Sequence, residues 1–83
     1  MKYLKDEEFI KKFGQKLKQV REGQGISQEQ FSLLTDISQS QIARTELGQV
    51  NTSISHASTY AKFLKINPME LFDFSDLKVK DKK

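Results

Sequence analysis

Several residue types that build cross-links or reactive sites are scarce in this 83-residue sequence. Cysteine is absent, so disulfide bonds and thiolate metal sites are excluded, and the single histidine, His56, is too little for the usual zinc ligand sets. No serine–aspartate pair or carboxylate cluster accompanies His56 in a catalytic pattern. We therefore expect a protein that is not an enzyme, binds no metal and needs no cofactor.

Long apolar runs are missing as well. No stretch approaches the roughly 20 apolar residues that a membrane-spanning helix needs. The N-terminal sequence MKYLKDEEFIKK lacks the apolar segment of a signal peptide. We expect a cytoplasmic protein without membrane contacts. A chain of this length forms one domain at most and has no separate effector domain, so no small-molecule ligand is expected.

Positive charge is scarce in the middle of the chain. The net charge of +3 and the pI near 9.2 weakly favour an anionic partner. Between residues 26 and 60, however, Arg44 is the sole basic side chain, against Glu29, Asp36 and Glu46. The lysines lie before and after this segment, so charge alone does not indicate a DNA-binding surface there.

Helical spacing is present almost throughout, and the alternation typical of strands is absent, which predicts an all-α fold of five helices. The first helix begins at Asp6, the fourth near Thr52 or Ser53, and the fifth at Asn67-Pro68, an N-cap followed by proline at the first helical position. Tyr60 is expected on the flank of the fourth helix. The apolar stripe of the fourth helix is predicted to consist of Ile54, Ala57, Ala61 and Leu64.

Two helix starts follow each other closely in the sequence SQEQFSLLTDISQSQIARTELG. Ser27 with Gln30, and Ser38 with Gln41, have the spacing of a capping box, in which the serine and the third-position glutamine bond each other's backbone N–H groups. They predict a second and a third helix joined by a turn of about three or four residues around Asp36.

The segment 13–72 resembles the Cro/phage-repressor (Xre-type) helix-turn-helix family. The resemblance is carried by L-x-x-V-R, ISQEQF, ISQSQIARTELG and YAKFLKINPMELF, all in register. It implies a five-helix lambda-repressor-like domain over residues 1–74, with the helix-turn-helix at helices 2 and 3. Residues 75–83 are expected to form a basic, flexible tail.

Three positions depart from the family pattern. Ser32 stands where the family usually has alanine, Asp36 where it has the turn glycine, and Thr52 where it has a loop proline. The Ser32 hydroxyl is expected to bond back to a carbonyl of its own helix. We expect Ser32 and Asp36 to lower stability slightly without disrupting the motif.

The resemblance implies a double-stranded DNA partner, with helix 3 in the major groove. Glutamine can pair with adenine and arginine with guanine, and the implied base contacts are Gln39, Ser40, Gln41 and Arg44. The expected phosphate contacts are Gln28, Asn51, Ser53 and Lys16. The alternatives are that Asn51 and Ser53 cap helix 4, and that the polar residues of helix 3 are ordinary solvent-facing side chains.

Structural and regulatory roles are implied too. Arg21 and Glu46 match positions that pair in the family, although both could be solvated surface charges. One reading helix covers few base pairs, so a homodimer on a pseudo-palindrome is expected. Its interface is predicted at Phe63, Met69, Phe72 and Phe74, with Val79 as a further candidate.

The predicted function is a transcriptional repressor. The alternatives are an antitoxin that also binds a toxin, or a restriction–modification controller protein.

Overall fold

Four α-helices and one short 3-10 helix make up the protein in a computed structural model that describes residues 6–77. No strand occurs within these residues, which confirms the all-α prediction. The predictions for Val79 and for residues 78–83 of the tail lie outside them. The elements are α1 (Glu7–Gly23), α2 (Gln28–Thr35), α3 (Gln39–Glu46), α4 (Ile54–Leu64) and the 3-10 helix η1 (Pro68–Phe72).

The fifth predicted helix is η1, so the expectation of five α-helices is corrected to four within residues 6–77. Its start is as predicted, because Asn67 accepts a bond from the Met69 N–H at 2.9 Å and Pro68 occupies the first position. At its other end Asp73 has extended backbone angles, φ −95° and ψ 102°, which stop the helix. Segments this short commonly adopt 3-10 geometry. Leu71 still reaches the core.

The two closely spaced helix starts differ in the structure. At α2 the capping box is complete, since Ser27 Oγ accepts from the Gln30 N–H at 3.0 Å and Gln30 Oε1 accepts from the Ser27 N–H at 2.9 Å. At α3, Ser38 Oγ accepts from the Gln41 N–H at 3.1 Å, but the Ser38 N–H does not donate to the Gln41 side-chain oxygen. The second capping box is therefore only half made.

The turn between α2 and α3 depends on side chains as well as on its backbone. Asp36 adopts the left-handed conformation, φ 62° and ψ 23°, in the place where the family has glycine. The Ser32 hydroxyl donates to the Ile37 carbonyl at 2.7 Å, not to a carbonyl of its own helix as expected. Thr35 Oγ1 also accepts from the Ile37 N–H at 3.2 Å. These bonds tie the turn to α2, so the serine that departs from the family pattern supports the turn.

The core lies between the helices and corrects two expectations for α4. Tyr60 is fully buried and stacks on Phe31 with ring centroids 5.6 Å apart, although the sequence pattern placed it on the flank. Ile54, predicted for the apolar stripe, is instead 88% exposed because it is the first residue of the helix. The buried cluster consists of Phe13, Leu17, Phe31, Ile42, Ala57, Tyr60, Ala61, Leu64 and Leu71.

Helices α1 and α3 approach each other at a glycine. A Cβ atom on Gly14 would overlap the carbonyl oxygen of Thr45 and would lie 2.8 Å from that of Glu46. No side chain fits this space without moving one helix relative to the other. Gly14 therefore fixes how closely the end of α3 lies on α1.

Candidate nucleic-acid interface

An ion pair ties the end of α3 to α1. Arg21 Nε and Nη2 donate to the two carboxylate oxygens of Glu46 at 2.7 and 2.9 Å. Arg21 Nη1 donates to the Ile26 carbonyl at 2.6 Å, just before α2. Gln28, the first residue of α2, donates its side-chain amide to Glu46 Oε1 at 2.9 Å. Three helices therefore meet at one carboxylate.

This pair is removed from water, since Arg21 is 5% exposed and Glu46 is 7% exposed. The hydrogen bonds from Arg21 to Glu46 raise the pKa of Arg21, so the guanidinium stays charged across the whole physiological range. Buried charges are tolerated only when their hydrogen-bonding groups are satisfied. Here the bidentate contact and the Gln28 bond meet that condition, and they hold α2 and α3 in one arrangement on α1.

The opposite side of α3 faces solvent. Ile42, Thr45 and Glu46 are buried against the other helices, whereas Gln39, Ser40 and Arg44 are exposed, and Gln41 is partly exposed. Ser40 and Arg44 are one helical turn apart. The four residues predicted to contact bases therefore lie on one short helix, with none of their side chains in the core.

The predicted phosphate contacts near this surface fall in three different positions. Gln28 lies at the N-terminus of α2, and only one of its two amide hydrogens is used by Glu46. Ser53 caps α4, because its Oγ accepts from the His56 N–H at 3.0 Å, as the structural alternative stated. Asn51 lies two residues earlier in the α3–α4 loop and is exposed.

Lys16, the fourth predicted phosphate contact, lies elsewhere. Its side chain is only 9% exposed, and its ammonium binds Asp76 Oδ1 at 2.7 Å. Gly14 faces α3, and two further residues turn the helix by about 200°. Lys16 is thus directed away from α3 and has a carboxylate partner within the chain, so the structure does not bring it to the surface formed by α2 and α3.

A different lysine of α1 lies beside the end of α3. The stem of Lys11 packs on Gly48, where a Cβ atom would be 2.6 Å from Lys11 Cγ. Lys11, Gly14 and Arg21 are separated by three and seven residues and share the face of α1 that contacts α3. This spacing in the sequence places Lys11, but not Lys16, on the face of α1 that contacts α3.

The residues predicted for the dimer interface differ in their packing. Phe63 and Phe74 are partly buried against the core, and the ring of Phe74 meets Phe9 edge-on at 5.1 Å. Phe72 packs on Phe13 at 5.1 Å but remains about half exposed. Met69 is 74% exposed. Phe63 and Phe74 therefore contribute to packing within the chain, and Met69 and Phe72 remain available to a partner.

His56, the one histidine of the sequence, is partly exposed on α4. His56 lies beside Tyr60, with ring centroids 6.2 Å apart. Between residues 6 and 77, no three histidine, aspartate or glutamate side chains are grouped to hold a metal ion. No helix in that range is long and apolar enough to cross a membrane.

The two short helices α2 and α3 are joined by a tight turn, and both are fixed on α1. The second of them presents polar side chains to solvent. This arrangement defines a helix-turn-helix protein. The helix-turn-helix family model HTH_3 matches residues 17–71, which cover all of α2, α3 and α4. The chain belongs to this family, whose members are DNA-binding regulators.

Two relatives carry the name of a control protein, and one of them is described as a restriction–modification controller. The chain is 32% identical over 66 residues to the control protein C.BamHI of Bacillus amyloliquefaciens, covering 78% of this chain and 82% of that protein. It is 38% identical to the restriction-modification controller protein C.AhdI of Aeromonas hydrophila, with a TM-score of 0.74, covering 76% of this chain and 96% of the other.

A further crystal structure shares the fold at lower identity. The DNA-binding domain of BldD is 22% identical, with a TM-score of 0.75, and the match covers 81% of this chain and 97% of that domain. At this identity the likeness concerns the arrangement of the helices only. It shows that this arrangement accommodates widely different sequences.

Proposed function

We propose that the protein is a transcriptional regulator that binds a pseudo-palindromic operator as a homodimer, with α3 in the major groove. The observation that carries this proposal is the division of α3. One face is fixed by the buried Arg21–Glu46 pair, and the other presents Gln39, Ser40 and Arg44 to solvent. Amide and guanidinium groups are the side chains that pair with adenine and guanine edges.

We propose that the DNA phosphates are bound mainly by uncharged hydrogen-bond donors and not by a basic cluster. The second amide hydrogen of Gln28 and the N-terminus of α2 can donate to one phosphate. Asn51 in the α3–α4 loop can donate to another, and Ser53 also can while it caps α4. Lys11 supplies a cation beside the end of α3, and it replaces Lys16 in the set that we propose.

The relatives favour one of the alternative roles. C.BamHI and C.AhdI carry control-protein names, and the second is described as a restriction–modification controller. We infer that operator binding serves the control of a restriction–modification operon, in preference to the antitoxin alternative. In either role the dimer represses when its operator overlaps the promoter, and we retain repression as the predicted outcome.

Selection of bound DNA from a random pool tests the proposal. We expect enrichment of two inverted half-sites whose centres are about 10 base pairs apart, one helical turn of DNA. A pool that shows no enriched palindrome would contradict sequence-specific operator binding. Placing the selected site at the neighbouring restriction–modification or toxin genes, if there are any, then separates the controller role from the antitoxin role.

A further inference from the structure

Leu47 lies at the C-terminal end of the helix that we propose to read DNA, and it is 65% exposed. A single exposed leucine is common and needs no explanation. Along α3 and its caps, residues 38–47, however, Leu47 is the one exposed large apolar side chain. The other exposed residues of this range are serine, glutamine and arginine. An apolar group therefore stands among side chains that form hydrogen bonds.

Helical geometry aligns Leu47 with the exposed side of α3. Leu47 keeps helical backbone angles, φ −83° and ψ −4°, and its N–H donates to the Ala43 carbonyl at 3.1 Å. The helical path therefore continues through Leu47. At about 100° per residue, Ser40, Arg44 and Leu47 lie within about 60° of one another around the helix axis, and the buried residues of α3 lie on the opposite side. We call these three residues the outer ridge of α3.

A leucine on the outer ridge has one chemical match among the edges of the bases. The major groove presents hydrogen-bond donors, hydrogen-bond acceptors and a single kind of apolar group, the C5-methyl group of thymine. A leucine placed against any other base displaces water from a donor or an acceptor without replacing the lost hydrogen bond, and this costs free energy. An apolar side chain at this position therefore favours thymine and disfavours the other three bases.

We propose that Leu47 contacts the C5-methyl group of one thymine in each half-site of the operator. The proposal rests on the function proposed above, and it adds a residue that determines specificity to the four polar side chains predicted to contact bases. Leu47 lies about 4.5 Å beyond Arg44 along the helix axis, and successive base pairs are about 3.4 Å apart. The thymine should therefore lie one or two base pairs from the base pair that Arg44 reads.

The residues around Leu47 favour DNA as the molecule that covers it. Gly48 follows Leu47 directly with a positive φ of 76°, and the stem of Lys11 packs on this glycine. Asn51, three residues after Gly48, is exposed. Lys11 and Asn51 both belong to the phosphate contacts proposed above. A DNA backbone bound by these two residues passes beside Leu47, so the exposed leucine is covered when the operator is bound.

Replacing thymine by uracil in the operator tests the contact, because uracil differs from thymine only in lacking the C5-methyl group. Fluorescence anisotropy measures binding of wild-type protein, Leu47→Ala and Leu33→Ala to the selected operator and to duplexes with each thymine replaced in turn, in both half-sites together. We expect one replacement to raise the wild-type dissociation constant about 10-fold, through one lost methyl contact per half-site. Leu47→Ala should bind the thymine operator about 10-fold more weakly and respond to that replacement less than about twofold.

Leu33→Ala is the matched control, since Leu33 is 80% exposed on α2 and lies outside the outer ridge. It should keep the wild-type affinity and the wild-type response to uracil. The ratio of the dissociation constants for uracil and thymine operators within one variant does not depend on how much of that variant is folded. The response to uracil therefore separates a lost contact from a damaged fold.

Three results would overturn the thymine contact while leaving the proposed function intact. The first is a selected palindrome without a preferred thymine, and the second is wild-type binding that no uracil replacement weakens. The third is a Leu47→Ala variant that keeps the full wild-type response to uracil, because the leucine would then touch sugar or phosphate and another residue would contact the methyl group. A wild-type protein that selects no palindrome would overturn the proposed function and the thymine contact together.

Discussion

The two faces of α3 differ in almost every physical respect. Its inner face ends in Glu46, which is buried in a bidentate ion pair with Arg21 of α1 and also accepts a hydrogen bond from Gln28 of α2. Its outer face carries Gln39, Ser40 and Arg44, which are exposed. The inner face fixes where the helix lies, and the outer face is exposed to solvent. Substitutions on the two faces should therefore separate stability from recognition.

The largest effect is expected on the inner side. Arg21→Ala leaves Glu46 as an uncompensated buried carboxylate, and breaking a buried pair in this way costs about 3–5 kcal/mol. Urea denaturation should show this loss in the free energy of unfolding, and DNA affinity should fall as well because α3 loses its support. Lys18→Ala, an exposed change on the same helix, is the control. An Arg21→Ala variant with wild-type melting temperature and DNA affinity would show that the pair does not hold α3.

The close contact between α1 and α3 should give the next largest effect. Gly14→Ala places a Cβ atom against the carbonyl oxygens of Thr45 and Glu46, and we expect a cost of about 1–3 kcal/mol from the forced separation. Gly23→Ala near the end of the same helix meets no atom within 4 Å, and it should be neutral or slightly stabilising. Equal unfolding free energies for the two variants would contradict the proposed role of Gly14.

The outer face should show the reverse behaviour. Gln39→Ala removes an exposed amide, so its unfolding free energy should stay within about 0.5 kcal/mol of the wild type. Its affinity for the operator should fall by about 1–3 kcal/mol through the loss of one base contact. Gln19→Ala is a matched change on α1, away from α3, and should alter neither quantity by a comparable amount. Wild-type operator affinity in Gln39→Ala would remove this residue from the reading surface.

The smallest effect is expected at the pair on the other side of α1, in which Lys16 is buried and Asp76 is exposed. The hydrogen bond from Lys16 lowers the pKa of Asp76. A carboxyl with a lowered folded pKa stabilises the fold above its unfolded pKa, and this contribution is lost as the pH falls through the folded value. The wild type should therefore lose slightly more stability than Asp76→Asn below about pH 4. Identical acid titrations of stability would show that the pair contributes nothing.

Much of this fold follows from local sequence signals. Ser27 with Gln30, and Asn67 with Pro68, mark helix starts through bonds that reach only a few residues along the chain, and the structure forms them as predicted. The approach of Arg21 to Glu46 is not local. It was implied by the family resemblance, which supplies information about distant contacts that spacing alone does not contain.

At two positions the local sequence was misleading, because it does not show which other part of the chain will cover or bind a residue. Ile54 continues the apolar spacing of α4, but it is exposed because it lies at the first position of that helix and is directed away from the core, whereas Ala57 in the same turn is buried. Lys16 looked like a free cation, but Asp76, 60 residues later, returns to bind it. Neither fact is encoded in the few residues around these positions, since both depend on where other helices and loops come to lie.

Arg44 provides the most direct test of the division of α3. Binding of wild-type protein and Arg44→Ala should be measured by fluorescence anisotropy on the selected operator and on a set of single base-pair variants. We expect Arg44→Ala to lose discrimination at one base pair in each half-site and to keep its preferences elsewhere. An equal loss of affinity on every sequence would contradict it, because Arg44 would then contact phosphate and α3 would not read the bases through this residue.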